Sequence, residues 1–431
     1  MNVVFLAIVL VAFFTSGWRQ LFWLPAAGEV SPMEALTKAM VESAAGAVEL
    51  ALGLIGVMTL FLGLMKVAEA GGMLTILARL IRPLMIRLFP EVPPEHPAMG
   101  AMILNLSANL LGLGNAATPF GIKAMQELDK LNSRPGTATN AMVMFLAINT
   151  SSVTLLPTGV IALRAAAGSA NPAGILPTTL FATTCSTVTA ILAAWAFQRF
   201  FPVGNTGSEE KSKGGPTEAS QEGESSTTEP ASAYPLWVSG LALSVLMALI
   251  PLTVFFGKAI SPWIIPGLMV GFLVFGVARR VRIYEVFVEG AKEGFQVAVK
   301  IIPYLVAILV AVAMFRASGA MEATVGWLGP WTSRVGMPAE ALPMALLRPL
   351  SGSGAFAVLA SIINNPAIGP DSYTGYLVST LQGCTETTFY ILAVYFGAVQ
   401  VRRIRHTLAA ALTADLAGII GSILACSYLF R

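Results

Sequence analysis

Residues 97–128 read PAMGAMILNLSANLLGLGNAATPFGIKAMQEL, with no charge before Lys123. The stretch is apolar enough to enter a bilayer, yet NLLGLGNAATP (Asn109–Pro119) interrupts it in the middle. A spanning helix needs about 20 apolar residues, and each side of the interruption keeps only about 10–13. A second window, Leu342–Asn365, is broken in the same way by RPLSGSG (Arg348–Gly354). Non-helical backbone at membrane depth is tolerated only where protein or a water-filled cavity satisfies it. Both windows therefore predict re-entrant helical hairpins, over 97–128 and 341–365. The alternative for each is one spanning helix kinked at its glycines.

Composition sets the frame for this reading. Asp, Glu, Lys and Arg make up only 11% of the 431 residues, and hydrophobic residues 55%. Mean hydropathy is +0.74. A soluble globular chain carries about 25% charged residues. The balance excludes a soluble enzyme, a nucleic-acid binder and a disordered protein, and leaves a polytopic membrane protein. Further spans are expected near 43–66, 139–163, 165–198, 229–258, 259–278, 294–315, 375–400 and 407–430. The first apolar run, Val3–Phe14, lacks a charged leader and reads as a retained helix. Cys185, Cys384 and Cys426 have no ligand spacing, and His96 and His406 lie far apart, so no metal or other cofactor is expected.

Residues 203–233 differ from all of this. They are rich in Gly, Ser, Thr and Glu, cannot bury enough apolar area to fold, and read as a disordered linker between two membrane halves, 1–202 and 234–431. The halves match one another. Ala70/Ala317, Gly72/Gly319 and Pro83/Pro330 are 247 residues apart; Gly112/Gly352 and Gly114/Gly354 are 240 apart; Leu146/Leu381 and Thr150/Thr385 are 235 apart. The same order recurs in both: apolar helix, Gly-broken window, polar-centred helix, terminal helix. Lys and Arg placement puts the N-terminus and the linker in the cytoplasm and the C-terminus outside. The repeats then run in opposite directions, a hallmark of secondary transporters built on broken helices.

Polar residues in apolar helices are costly, so clusters of them imply a cavity. Four clusters stand out: Asn105, Asn109, Asn115 and Thr118 at the first break; Asn149, Thr150, Ser151, Ser152 and Thr154 in NTSSVT; Arg348, Ser351 and Ser353 at the second break; Gln382, Thr385, Glu386, Thr387 and Thr388 in QGCTETT. Amides, hydroxyls and open helix ends suit a small polar solute or a partly dehydrated cation such as a coupling Na+ or H+. Glu386 either binds a cation, titrates, or pairs with Arg348. Asp415 is a second proton or cation site or a packing residue. Lys66, Arg164 and Arg316 near span ends are expected to snorkel. Without a G-x-x-x-x-G-K-[ST] loop or a Ser/His/Asp constellation, neither ATP hydrolysis nor other enzymology is expected.

FLGLMKVAEAGG (61–72), LFPEVPPEHPAMGAMILNLSANLLGLGNAATPFGIKAM (88–125) and FLAINTSSVTLLPT (145–158) resemble spore maturation protein A over 1–202. FVEGAKEGF (287–295), MALLRPLSGSGA (344–355) and LQGCTETTFYILAVYFGAV (381–399) resemble spore maturation protein B over 234–431. Those two are usually separate chains, so the fusion implies that the pair works as one assembly. Both are similar to the nucleoside-recognition, or Gate, group, which resembles concentrative nucleoside transporters and the membrane part of ferrous-iron transport protein B. The resemblance implies an all-α polytopic membrane protein of two inverted repeats, each with a re-entrant hairpin and an unwound transmembrane helix. It implies a permease of the bacterial inner membrane, acting on a solute that the sequence leaves unnamed. The alternative is a non-transporting scaffold for envelope or spore maturation. The bilayer is the expected partner, nucleic acid is not, and a homo-oligomer stays open.

Impermeant labelling of single cysteines tests the orientation. A cysteine between Gly207 and Glu229 should stay protected in intact cells, and one beside Arg431 should react. The opposite pattern would invert the topology.

Overall fold

The computed structural model describes residues 2–24, 30–112, 114–152, 154–201 and 234–430. The expected linker lies outside them. The first half holds α1 (Asn2–Leu21), α2 (Pro32–Ala70), α3 (Met73–Leu88), α4 (Pro97–Leu110), α5 (Gly114–Lys130), α6 (Asn140–Ser151), α7 (Thr158–Ala166) and α8 (Leu176–Phe197). The second holds α9 (Leu236–Ala278), α10 (Ile283–Ala317), α11 (Ala320–Thr332), α12 (Leu342–Leu347), α13 (Gly352–Ile363), α14 (Tyr373–Cys384), α15 (Thr388–Ala398) and α16 (Thr407–Phe430). Helix starts follow local chemistry. Ser31 and Glu34 form a capping box ahead of α2, with Pro32 in the first turn. Thr139, Ser351 and Ser372 cap α6, α13 and α14 through their hydroxyls.

This is a multi-pass helical membrane protein. Among the described residues, Pro172–Phe197 and Thr407–Phe430 are single helices long and apolar enough to cross a bilayer. Two bent helix pairs meet the same length and hydropathy test only when joined: Met58–Ala70 with Met73–Leu88, bent by 69°, and Leu305–Ala317 with Ala320–Val335, bent by 77°. Both bends turn on a glycine in the left-handed region, Gly72 at φ 85° and Gly319 at φ 80°. These glycines are one of the sequence-matched pairs. The windows 229–258 and 259–278 are not two spans, because one helix, α9, runs through both. Lys258 separates them in the sequence, but a lone Lys is a good helix former and ends nothing.

Sequence-matched helices pack against each other in opposite directions. Gly294 of α10 lies on Thr59 of α2, and Gly290 on Leu62 and Lys66, so the numbers rise on one helix as they fall on the other. Missing side chains permit this approach. Lys66, expected to snorkel, instead bridges Glu69 at 3.6 Å and Glu293 of α10 at 3.1 Å. The terminal helices repeat the arrangement. Gly421 of α16 meets Ala182 and Cys185 of α8, and Gly418 meets Ser186. At the far end His406 contacts the Ala194 carbonyl at 3.1 Å. Burial first, then the adjacent Arg405 guanidinium, push its imidazole below the usual value.

Both large core clusters draw on both halves, for example Ile161 with Leu377 and Phe145 with Tyr395, whose rings stack at 6.0 Å. Arg164 joins the halves by polar contacts. It does not snorkel: it is 0% exposed. Its guanidinium donates to Pro370 O at 2.6 Å, Ser379 Oγ at 3.2 Å and Asp371 Oδ1 at 2.9 Å, and lies 4.3 Å from the Tyr376 ring centre. A cation so far inside is tolerated because acceptors meet its donors.

A Cβ at Gly294 would come within 2.7 Å of Thr59 Cα. Gly294→Val should therefore destabilise the protein by about 1–3 kcal/mol and lower its melting temperature in detergent. Gly100→Ala, with nothing within 4 Å of the new carbon, is the control and should melt as wild type.

Candidate functional site

The two windows with polar runs at their centres are each interrupted at those runs. Helix α6 stops at Ser151 and α7 starts at Thr158. Helix α14 stops at Cys384 and α15 starts at Thr388. Ser152 ends α6 with φ 42°, and its Oγ shares a hydrogen with Thr154 Oγ1 at 2.6 Å. Thr183 of α8 donates its hydroxyl to the Ser151 and Ser152 carbonyls. The Ser151 hydroxyl donates to Ile148 O and to Thr187 Oγ1, at 2.9 and 3.0 Å.

The breaks touch each other. The Glu386 N–H donates to the Thr150 carbonyl at 2.8 Å. One interrupted helix pair thus satisfies an open helix end of the other. The Thr150 hydroxyl itself turns back to Ala147 O.

The Gly-broken windows feed into this junction. Helices α4 and α5 form the expected hairpin: Asn105 Nδ2 donates to Ala117 O at 2.7 Å and to Tyr395 Oη at 3.1 Å. At the tip side, Asn109 Nδ2 donates to Asn149 Oδ1 at 2.9 Å. Thr118 is half-buried on α5, and Asn115 lies in its first turn with a side chain outside the described residues. In the second window α12 ends at Leu347, residues 348–351 break, and α13 follows. Ser351 Oγ accepts the Gly354 N–H at 3.0 Å, and Ser353 Oγ lies 3.5 Å from it. Ser351 is therefore engaged as a helix cap.

Arg348 is the centre of the second half-site. It is 6% exposed. Its Nη1 donates to Thr387 Oγ1 at 3.2 Å, and its Nη2 to the Thr385 carbonyl. Nη2 also faces Glu386 Oε2 at 3.6 Å. Glu386 is not the buried carboxylate that a mid-span position predicts, since its side chain is 43% exposed. The deeply buried carboxylate is Asp415 of α16, 4% exposed. Thr388 Oγ1 donates to its Oδ2 at 2.7 Å. A cavity of about 10 Å³ lies between Arg348, Cys384, Thr385 and Asp415. That is room for about one water. Arg348 Nε and Asp415 Oδ1 are both buried beside it without a hydrogen-bond partner. A donor and an acceptor left open on one small cavity suit a bridging water or a small group carrying both functions. A bare cation there would meet the guanidinium, whereas a proton on Asp415 adds no bulk.

Sequence reasoning missed several contributors. Thr183 and Thr187 satisfy the first break, Thr178 meets Thr380 at 2.7 Å, and Tyr395 ties Asn105 to Asn149. The Thr-rich run of α8, with Thr179, Thr183 and Thr187 every fourth residue, held that signal. Ser186 is a packing contact, donating to Ala414 O. Gln382 leaves Oε1 buried without a partner.

Comparison with known proteins identifies the family. The family model described as Gate, nucleoside recognition, matches residues 51–167 and 298–402, more than half of the chain. The chain belongs to the Gate family. The two Gate segments begin 247 residues apart and end 235 apart, the separations found between the halves. Spore maturation protein B of Bacillus subtilis is 46% identical over 166 residues, 38% of this chain and 92% of that protein. Spore maturation protein A of the same organism is 46% identical over 160 residues, 37% of this chain and 82% of its own. The two match different halves, so this Gate protein joins in one chain what they hold in two. A solved structure of CNTnw, in an inward-facing substrate-bound state, aligns over 98% of this chain and 90% of its own with a TM-score of 0.46 and 13% identity.

The exposure of Glu386 separates its role from that of Arg348. Arg348→Ala should cost about 3–5 kcal/mol, because it strips donors from a buried junction. Glu386→Gln should cost less than about 1 kcal/mol, because half-exposed ion pairs contribute little. Denaturant or thermal unfolding of both variants in detergent checks the order.

Proposed function

We propose that this Gate protein is a secondary transporter or permease for a small polar solute. In this reading two inverted repeats hold the solute near the bilayer midplane, at the paired breaks, and movement is coupled to Na+ or H+. The protein sits in the bacterial inner membrane with the N-terminus and linker cytoplasmic and the C-terminus extracytoplasmic. The observation that carries the proposal is the junction of two interrupted helices beside buried, unpartnered Arg348 Nε and Asp415 Oδ1. Interrupted spans leave free backbone donors and acceptors, and unmet charged groups are kept inside a membrane protein at a cost that packing alone does not explain. Antiparallel packing of α2 with α10 and of α8 with α16 supports two repeats able to rock about a shared site. The nucleoside in the family description belongs to the family, and the fold alone assigns no solute.

The names of the two relatives speak of maturation rather than transport and motivate a second reading, a membrane scaffold with a transporter-like fold. The two readings part on ligand binding. Purified protein is screened by thermal shift against nucleosides, amino acids, dipeptides and dicarboxylates. A solute at 100 times its Kd should stabilise by about 2.7 kcal/mol. The stabilising solute should then enter proteoliposomes, and Glu386→Gln or Asp415→Asn should fold, bind it, and lose the dependence on pH or Na+. If no solute stabilises, and both variants complement a deletion fully, the scaffold reading replaces transport.

A further inference from the structure

A second cavity lies far along the chain from the paired breaks, at the 69° bend between α2 and α3. Its volume is about 240 Å³, and Gly72, Thr75, Arg79, Tyr234 and Arg279 line it. The arginines come from different halves: Arg79 from α3, and Arg279 from the C-terminal cap of α9. Backbone ties the wall together, since Tyr234 N–H donates to Arg79 O at 3.3 Å. Among the described residues no carboxylate belongs to the lining. The carboxylate nearest in sequence, Glu69, pairs with Lys66 at 3.6 Å. Among the described residues neither arginine forms an ion pair, and Arg79 Nε is buried without a partner. Arg279 rests over the Phe275 ring at 5.5 Å, which leaves its donors available.

Two guanidiniums lining one cavity repel. An anion removes that cost. Guanidinium forks match phosphate oxygens in geometry and number, and Thr75 and Tyr234 are hydroxyl residues able to add donors. The volume is several times the roughly 30 Å³ share of one water, so a phosphate group fits with room to spare. We propose that this cavity is a binding site for a phosphate anion, held between Arg79 and Arg279.

The source is either an anionic lipid headgroup or a soluble phosphate. Helix α3 carries Arg79, Arg82 and Arg87 among apolar residues and leaves α2 at a steep angle. That is the pattern of a helix lying at headgroup level, which favours the lipid.

The test uses full-length, delipidated protein in neutral detergent. Melting temperature is followed against short-chain phosphatidylglycerol, phosphatidylcholine, and inorganic phosphate versus chloride at matched ionic strength. Phosphatidylglycerol should stabilise wild type and phosphatidylcholine should do so far less. In R79Q/R279Q the apparent affinity should fall about tenfold or more. R279Q alone, at an exposed position, should fold as wild type and show an intermediate loss. R402Q/R403Q, which removes two charges elsewhere, should keep the response. An arginine-dependent shift with inorganic phosphate alone would keep the site and assign it to a soluble phosphate. No shift with any phosphate probe, equal shifts with the two lipids, or an unchanged response in R79Q/R279Q would overturn the proposal.

Discussion

A helix interrupted inside a bilayer exposes backbone N–H and C=O groups that no lipid can satisfy, and each unmet group costs several kcal/mol. Among the described residues, helices break after Ser151 and after Cys384, in windows apolar enough to enter a bilayer. Much of the surrounding architecture answers them. Thr183 covers the Ser151 and Ser152 carbonyls, Arg348 covers the Thr385 carbonyl, and the Glu386 amide closes on Thr150. The breaks are tolerated because each half covers most of its own, and the Glu386 amide joins the two.

The halves also share their apolar cores. Matched helices cross at small residues, Gly290 and Gly294 of α10 against α2 and Gly418 and Gly421 of α16 against α8, so backbones approach closely without a large apolar drive. Arg164 adds a buried polar tie at one end, and Lys66 with Glu293 a partly exposed one at the other. Fusion of sequences resembling two separate maturation proteins is consistent with a fold whose two large cores each draw on both halves.

Charge is used sparingly and with different partners at each site. Arg164 has carbonyls, a hydroxyl and Asp371 on its donors and is chemically finished. Arg348 is not finished, since its Nε faces the same cavity as an open Asp415 oxygen. A finished cation fixes a structure. An unfinished one beside a small cavity leaves work for a water, a proton or a solute, and this contrast directs attention to Arg348 and Asp415 rather than to Arg164.

Much of this was written into the local sequence. Few charges require a membrane, and the Gly-rich interruptions at 109–119 and 348–354 and the polar runs NTSSVT and QGCTETT mark the breaks, because residues that stop a helix or cost energy in lipid act within a turn or two of themselves. Matched separations of 247, 240 and 235 residues reveal the repeat for the same reason. What the sequence could not decide depends on contacts between distant elements. It placed Glu386 at mid-span but not that its side chain is half exposed, and it left Asp415 undecided. It sent Arg164 to the membrane edge, where tertiary structure gives it six acceptors, from Pro172, Asn171, Ser169, Pro370, Asp371 and Ser379. Whether a charge is buried, paired or open is set by which helices pack around it, and that is a property of the fold rather than of any stretch of chain.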